Sequence, residues 1–411
     1  MELLPGLPNE LACQILARVP RSYHSSLVLV CTSWNRLFKS RDFYRLRKQL
    51  AVTEEWLYIL MKDADDQLVW YAVDPETGRW MRLPPMLNPI EEKLAQAQVA
   101  PQQGSNSRCL QAYGRWIIRK IFGNRTRLKG CSAAALDGCL FVVGGCLRAE
   151  LNSVWRYDAC TKEWTSVCTM ATPRAFCQTA CLHNKLYAVG GLQLGGDDAV
   201  YPLQSIEVYD PTTNQWSPVG TFYCARTDVL PATMRAKMPK PMATTVVSYN
   251  DQLCLFHSLH SRYVNVRGQL YRPLSHTWSK IPRGMVLGWP AHQSTTQSSA
   301  VVNGEIVALD STSSLDGVSL KLYDSQADEW KILCIKQLPI SVLDVIHSEY
   351  PCLIAGFMSK LYLVLKQSNG DVVALRADFS NFSDCDVRDW ETTAIKKFGS
   401  AKPVACQVVD I

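Results

Sequence analysis

The chain has 411 residues, 47% of them hydrophobic and 19% charged, with a formal net charge of +6. That composition excludes an intrinsically disordered chain, and the length predicts two or more folded units or one large repeat domain. Within residues 1–50 Arg18, Arg21, Arg36, Lys39, Arg41, Arg45, Arg47 and Lys48 stand against only Glu2, Glu10 and Asp42. Most of the positive excess is therefore local, and a nucleic-acid channel running the length of the chain is not expected.

The first predicted element is a helix within residues 7–20, LPNELACQILARVP, where Leu11, Ile15 and Leu16 fall at helical spacing between Pro8 and Pro20. A second, Ser26–Leu37, puts Leu27, Val30, Trp34 and Leu37 on one face. A third, Arg41–Leu50, is basic and amphipathic. Three short helices in about fifty residues make a marginal core that gains from burying its remaining apolar surface on a partner.

Residues 51–411 carry a period of about fifty. Trp80, Trp164, Trp216, Trp278, Trp330 and Trp390 recur, and six positions before them stand Asp74, Asp158, Asp210, Arg272, Asp324 and Asp384. The spacing predicts a hairpin: a strand ends in an Asp that closes an Asx turn, lost in the fourth copy where Arg272 stands, and the Trp opens the return strand as a packing plate. The sixth spacing is set apart, because its preceding strand is expected to end near Asp378. Two further strand-like runs precede the hairpins, so four strands per unit repeated six times predict a β-propeller. The first unit, with strands at Glu54–Met61, Leu68–Asp74 and Trp80–Leu83, lacks its innermost strand. Val404–Val409 is expected to supply it and close the ring. Blades are expected at about 54–85 plus 403–411, then 130–172, 175–222, 242–284, 297–337 and 350–394, with an insert at 86–129. Within that insert Tyr113–Phe122 reads as a short basic amphipathic helix, either capping the propeller face with its charges in water or binding a partner, a membrane surface or a nuclear import receptor.

These patterns resemble two known families. Leu7, Pro8, Glu10, Leu11, Ile15, Leu16, Arg18, Pro20, Val30, Cys31, Trp34 and Leu37 resemble the F-box motif over residues 3–49. The pairs Gly144–Gly145 and Gly190–Gly191, each followed by Tyr-Asp and then Trp, resemble the Kelch repeat. His257–Ser258, Leu309–Asp310 and Leu365–Lys366 stand near that place in later units. The order of the modules looks most like the plant F-box/Kelch proteins: a small all-α F-box in residues 1–50, then a six-bladed Kelch-type propeller in 51–411 closed by the C-terminal strand.

By that resemblance the chain is the substrate-receptor subunit of a Skp–cullin–F-box ubiquitin ligase. Leu7 and Pro8 insert into a Skp-family adaptor, with Glu10, Leu11, Ile15, Leu16, Val30, Cys31 and Trp34 in the contact set. Leu11 and Trp34 are divided between that contact and the helical core. The adaptor surface facing an F-box is acidic in many members, which suits the basic N-terminal charge. A target protein is expected on the propeller face that carries the long connections, at about 86–129, 192–204, 222–241, 258–268, 284–296, 310–318 and 338–349. Arg148, Tyr201, Tyr223, Arg226, Arg262, Tyr263, Trp289 and His292 are the exposed candidates there.

The alternatives are a Kelch scaffold without cullin recruitment and a propeller enzyme. His257 and His260 fall on opposite faces of a strand, and Asp197–Asp198 sits in a Gly-rich loop. No phosphate-binding or nucleophile-elbow motif occurs. The 16 cysteines lack any C-x-x-C pair and read as small buried hydrophobes. No catalytic residue, metal or other cofactor is expected. MELLPGLPNEL does not read as a secretory leader, and no apolar run approaches a membrane span. An intracellular protein of the cytoplasm or nucleus is expected, with no nucleic-acid partner.

Overall fold

A computed structural model describes residues 2–65, 67–86, 130–145, 152–194, 200–222, 243–258, 266–289, 298–310, 319–335, 352–379, 386–387 and 390–411. The N-terminal unit has four short helices among them: α1 (Asn9–Ala17), α2 (Arg21–Leu27), α3 (Thr32–Phe38) and α4 (Arg41–Gln49). The second expected helix is thus two. Helical turn bonds run on through Leu29 and Val30 to Ser26 and Leu27, and the break falls at Cys31, whose backbone is extended at φ −159° and whose thiol accepts the Trp34 N–H at the start of α3. Pro8 and Pro20 stand immediately before α1 and α2, where a missing N–H costs nothing. Ser40 caps α4 by accepting the Asp42 N–H at 3.2 Å.

Six antiparallel sheets form the blades. Blade 1 joins β1 (Glu55–Lys62), β2 (Leu68–Val73) and β3 (Trp80–Arg82) to the last strand of the chain, β27 (Lys402–Asp410), with Trp56 opposite Val409 and Ile59 opposite Cys406. Blade 2 is β4 (Ser132–Leu136), β5 (Cys139–Val143), β6 (Val154–Asp158) and β7 (Glu163–Ser166). Blade 3 is β8 (Gln178–Leu182), β9 (Lys185–Val189), β12 (Ser205–Asp210) and β13 (Gln215–Thr221), with a two-stranded ribbon, β10 (Leu192–Leu194) and β11 (Val200–Pro202), rising between its middle strands. Blade 4 runs β14 (Ala243–Tyr249), β15 (Gln252–Ser258), β16 (Val266–Arg272), β17 (Thr277–Lys280). Blade 5 runs β18 (Ser299–Val302), β19 (Glu305–Asp310), β20 (Ser319–Asp324), β21 (Glu329–Ile335). Blade 6 runs β22 (Leu353–Phe357), β23 (Lys360–Lys366), β24 (Asp371–Asp378), β26 (Trp390–Lys397). The innermost strands touch in the order β27, β4, β8, β14, β18, β22 and back to β27, so the ring is closed.

The hairpin turns carry the repeat's local chemistry. Asp74, Asp158, Asp210 and Asp324 each accept backbone N–H bonds from residues just downstream, as Asp158 Oδ1 does from Cys160 at 2.9 Å. Two residues before the Trp the backbone turns left-handed at Lys162, Asn214, His276 and Asp328. The last three recover part of that cost by holding the buried Tyr of the same turn: Tyr209 with Asn214 at 2.9 Å, Tyr271 with His276 at 3.0 Å and Tyr323 with Asp328 at 2.8 Å. Arg272 stands where the other turns have Asp, so the fourth turn relies on this tyrosine contact.

The tryptophans then staple neighbouring blades. Trp164 Nε1 donates to the Pro84 carbonyl, Trp216 Nε1 to that of Cys168 and Trp330 Nε1 to that of Met285. Each acceptor lies on the segment leaving the preceding blade. The sixth unit departs from the pattern: β24 ends at Asp378, Trp390 opens β26, and between them β25 (Asp386–Val387) pairs parallel with β21 of blade 5. Asp384 lies outside the described residues.

The glycine pairs end the second strands of blades 2 and 3. Gly144 has φ +67° and lies against the Arg174 backbone, whose carbonyl oxygen leaves no room for a Cβ. Where blades 4–6 lack the pair, β15, β19 and β23 run one or two residues further, through His257, Leu309 and Leu365.

Candidate functional site

The N-terminal unit divides into an inward and an outward face. Leu16 and Ala17 of α1, Phe38 of α3, and Phe43 and Tyr44 of α4 are buried in one cluster with Trp56, Tyr58, Trp70 and Tyr157 of blades 1 and 2. The helices and the propeller therefore share a core. Leu16 is 3% exposed and so is a core residue, not an adaptor contact. Trp34 is half-buried against the same cluster, and its Nε1 donates to the Leu3 carbonyl at 2.8 Å, tying down the N-terminal segment.

Outward, Leu7, Leu11 and Ile15 lie at successive four-residue steps and are 37%, 49% and 48% exposed. Pro8 and Glu10 beside them are exposed too, as are Val30 and Cys31 in the link between α2 and α3. Leu29 in the same link, which the spacing of the motif did not single out, is 83% exposed. Apolar side chains held in water along one stripe mark a surface that gains by being covered.

The basic residues split the same way. Arg41 Nε and Nη2 donate to Asp158 Oδ2 at 2.9 and 2.7 Å, and Arg21 Nη2 donates to the Ala159 carbonyl at 2.6 Å. Arg21 also stacks over Trp56, 5.2 Å from the ring centroid. Arg47, 1% exposed, donates to the carbonyls of Ala17 and Val19 and to Glu54 Oε1. Three of the eight basic residues thus hydrogen-bond the helices to each other and to the propeller, and a fourth, the exposed Lys48, lies 3.9 Å from Asp137. Arg18, Arg36, Lys39, Arg45 and Lys48 remain exposed. Burial alone raises the Asp158 carboxyl, but the bonds from Arg41 and from the Cys160 and Thr161 N–H groups outweigh it and hold the group below the usual carboxylate range.

Among the described residues, the polar propeller groups that bond to the helices lie at one end of the strands. Asp137 and Cys139 bracket the β4–β5 turn, Asp158 and Ala159 the β6–β7 turn, and Glu54 pairs with Ile411 where β1 meets β27. The connections between second and third strands, and from each fourth strand to the next blade, reach the inner strands at the other end. The helical unit and the strand ends from which the long connections leave are therefore on opposite faces.

Of the expected target contacts, Trp289 is misplaced. It is 7% exposed, stacks on Phe256 at 3.6 Å and meets Trp330 edge-on at 5.7 Å. A short helix, α5 (Arg283–Leu287), delivers it between blades 4 and 5, and Gly288 lets the chain pass the Trp330 ring at a distance no Cβ would allow. The backbone of Tyr201 lies in β11. Arg148, Tyr223, Arg226, Arg262, Tyr263 and His292 lie outside the described residues, as do His260, Asp197–Asp198 and the basic run Tyr113–Phe122. No helix among the described residues is long and apolar enough to cross a membrane.

A helical unit with an outward apolar stripe, fused to a closed six-bladed propeller, defines the class of F-box proteins with a Kelch propeller. The F-box domain model matches residues 4–46 and the Kelch motif model residues 127–171 and 173–222. The chain is 38% identical to the F-box/kelch-repeat protein At1g22040 of Arabidopsis thaliana over its whole length and 91% of that protein. It is 26% identical to the F-box/kelch-repeat protein At1g16250 of the same plant, over 68% of this chain and 62% of that one. With At1g30090 it shares 25% identity over 70% of this chain and 61% of that protein. The chain belongs to the F-box/kelch-repeat family.

Proposed function

We propose that this chain is the substrate receptor of a Skp–cullin–F-box type ubiquitin ligase, acting inside the cell in cytoplasm or nucleus. Residues 1–50 dock on the Skp-family adaptor through Leu7, Pro8, Leu11, Ile15, Val30 and Cys31, with Glu10 at the edge. Residues 51–411 hold a target protein on the face opposite the F-box. The observation that carries this reading is the Leu7–Leu11–Ile15 stripe, left in water on a unit whose other side is already spent on the propeller. Covering such side chains contributes about 25 cal/mol for each Å² removed from water. The chain does no chemistry itself. Its contribution is proximity: a target lysine held near a charged conjugating enzyme meets it at high effective concentration.

The test is capture of a purified Skp-family adaptor by the full chain, wild type beside the Leu7→Ala/Pro8→Ala double variant. Both side chains are exposed, so the propeller is expected to stay folded while capture falls by tenfold or more, about 1.4 kcal/mol. Equal capture by both would overturn the docking surface. No capture by either would leave a Kelch scaffold that recruits no cullin.

A further inference from the structure

The joint between the helices and the propeller holds more positive charge than it pairs. Arg21, Arg41, Arg47 and Lys162 come together there with the carboxylates of Asp158 and Glu54. Arg41 takes Asp158 and Arg47 takes Glu54. Among the described residues the side chains of Arg21 and Lys162 enter no ion pair. Arg21 is 5% exposed. Its Nη2 is spent on the Ala159 carbonyl, while Nε and Nη1, both buried, donate to nothing.

The groups around Arg21 are phenols. Trp56 and Tyr58 stand two apart on β1 and so share a face, and Arg21 covers the first of them. The Tyr58 ring lies 6.0 Å from that of Tyr157, and the Tyr58 hydroxyl is buried without a partner. Tyr44 comes in from α4, its hydroxyl 3.5 Å from His24 Nδ1. All three phenols lie within electrostatic reach of Arg21. None serves as its counter-ion, because burial pushes Tyr44 up to about 12 and raises Tyr58 and Tyr157 as well. The Cys160 thiol is raised by burial in the same way. Lys162, in the left-handed step of the β6–β7 turn, stands at the outer side of the joint. Burial and then the like charge of Arg21 lower the pKa of its amine.

An unpaired cation in a buried joint is costly, and a water molecule relieves only part of that cost, since it accepts a hydrogen bond but brings no charge. The unpaired groups have one property in common. Arg21 Nε and Nη1, the Tyr58 hydroxyl and the Lys162 amine can all donate. Their complement is a negative ligand that accepts. We propose that the joint binds a small oxyanion of the phosphate class between Arg21, Tyr58 and Lys162, as free phosphate or as the phosphoryl group of a small metabolite. Two unpaired positive charges suit the charge of about −1.5 to −2 that a phosphoryl group carries at pH 7. Such a ligand ties α2, β1 and the β6–β7 turn together and so fixes the helices on the propeller. The site is independent of the receptor reading above.

The full chain, purified into phosphate-free buffer, is titrated with inorganic phosphate while its melting temperature is followed. Sodium chloride at matched ionic strength is the control. The wild-type melting temperature is expected to climb with phosphate concentration and to ignore chloride. Tyr58→Phe removes one hydroxyl and keeps the ring, and Lys162→Gln removes one surface charge. Each should need about tenfold more phosphate for the same rise. Arg21→Met should abolish the response, and if that variant does not fold the other two decide. Native mass spectrometry of the freshly purified chain separates the sources. A retained phosphorylated compound, lost from Tyr58→Phe and Lys162→Gln, identifies a metabolite, whereas a phosphate response without one identifies the free ion. The proposal fails if phosphate acts no more strongly than chloride and no anion is retained, or if Tyr58→Phe and Lys162→Gln behave as the wild type does.

Discussion

His24 gives the clearest single-residue consequence. It is buried among Phe38, Phe43 and Tyr44, with Nε2 3.0 Å from the Val19 carbonyl, and it shares the space with Arg21 and Arg47. Burial first, then the two arginines, push its pKa down to about 3, and the Val19 contact offsets this only in part. In the unfolded chain it titrates near the ordinary value of about 6.5. Between these values the unfolded state holds the extra proton, so stability falls as the pH drops through that window and is fully present above it. The expected loss is on the order of a few kcal/mol at the acid end. His24→Phe removes the titrating group, and its melting temperature should depend less on pH between about 3 and 6.5 than that of the wild type. Parallel curves would show that His24 does not titrate in this way. A periodicity reading misses this residue because its significance lies in neighbours contributed by α3 and α4, not in its spacing. Trp289 fails to be foreseen for the same reason: an aromatic in a Gly- and Pro-flanked stretch looks like a loop tip until the Phe256 and Trp330 rings are seen to enclose it.

At the scale of elements, the join between α4 and the β6–β7 turn makes the F-box and the propeller one body. Asp158 serves two elements at once: Oδ1 closes its own turn and Oδ2 takes Arg41. The turn role follows from the repeat, since Asp recurs at fixed spacing before Trp. The second role depends on a helix 117 residues away and has no local signal. Arg41→Ala and Asp158→Asn, alone and combined, should give a coupling energy of about 1 kcal/mol in urea unfolding, kept modest because the Arg41 side chain is 47% exposed. Asn keeps an acceptor for the turn, so a coupling near zero would mean that the shared hydrophobic cluster alone holds the two units together. The split of α2 from α3 belongs to this scale too. The apolar spacing across Ser26–Leu37 is continuous, but the extended backbone and thiol cap at Cys31 make a break that leaves Leu29 and Val30 outside.

For the whole molecule, closure is the decisive contact. The strand β27 spans nine residues, pairs with β1 along its length, and buries Ala405, Cys406, Val408 and Val409 between blades 1, 2 and 6. The Gln407 side chain donates to the Ala133 carbonyl of the next inner strand at 2.9 Å. Deleting residues 403–411 should expose the edge of β1 and the apolar faces behind it. The expected result is aggregation, or loss of the single cooperative unfolding transition seen by circular dichroism and calorimetry. A soluble truncated chain that unfolds in one step at an unchanged temperature would show that the ring does not depend on its last strand.

By itself the sequence determined the class of fold: the number of blades, the Asp-to-Trp turns, the spare C-terminal strand and the helical start with its family motif. Each of these is written in local spacing, and spacing survives in a linear chain because backbone geometry repeats with fixed periods. Tertiary structure alone decided which apolar residues of the motif face inward, as Leu16 does, and which face water, as Leu7, Leu11 and Ile15 do. It decided that Arg21 and Arg41 bond to the propeller and Arg47 to the helix ends and Glu54, and that the helices meet the strand ends opposite those from which the long connections leave. Burial and pairing depend on groups that meet only when distant segments close on one another, and no local period records them.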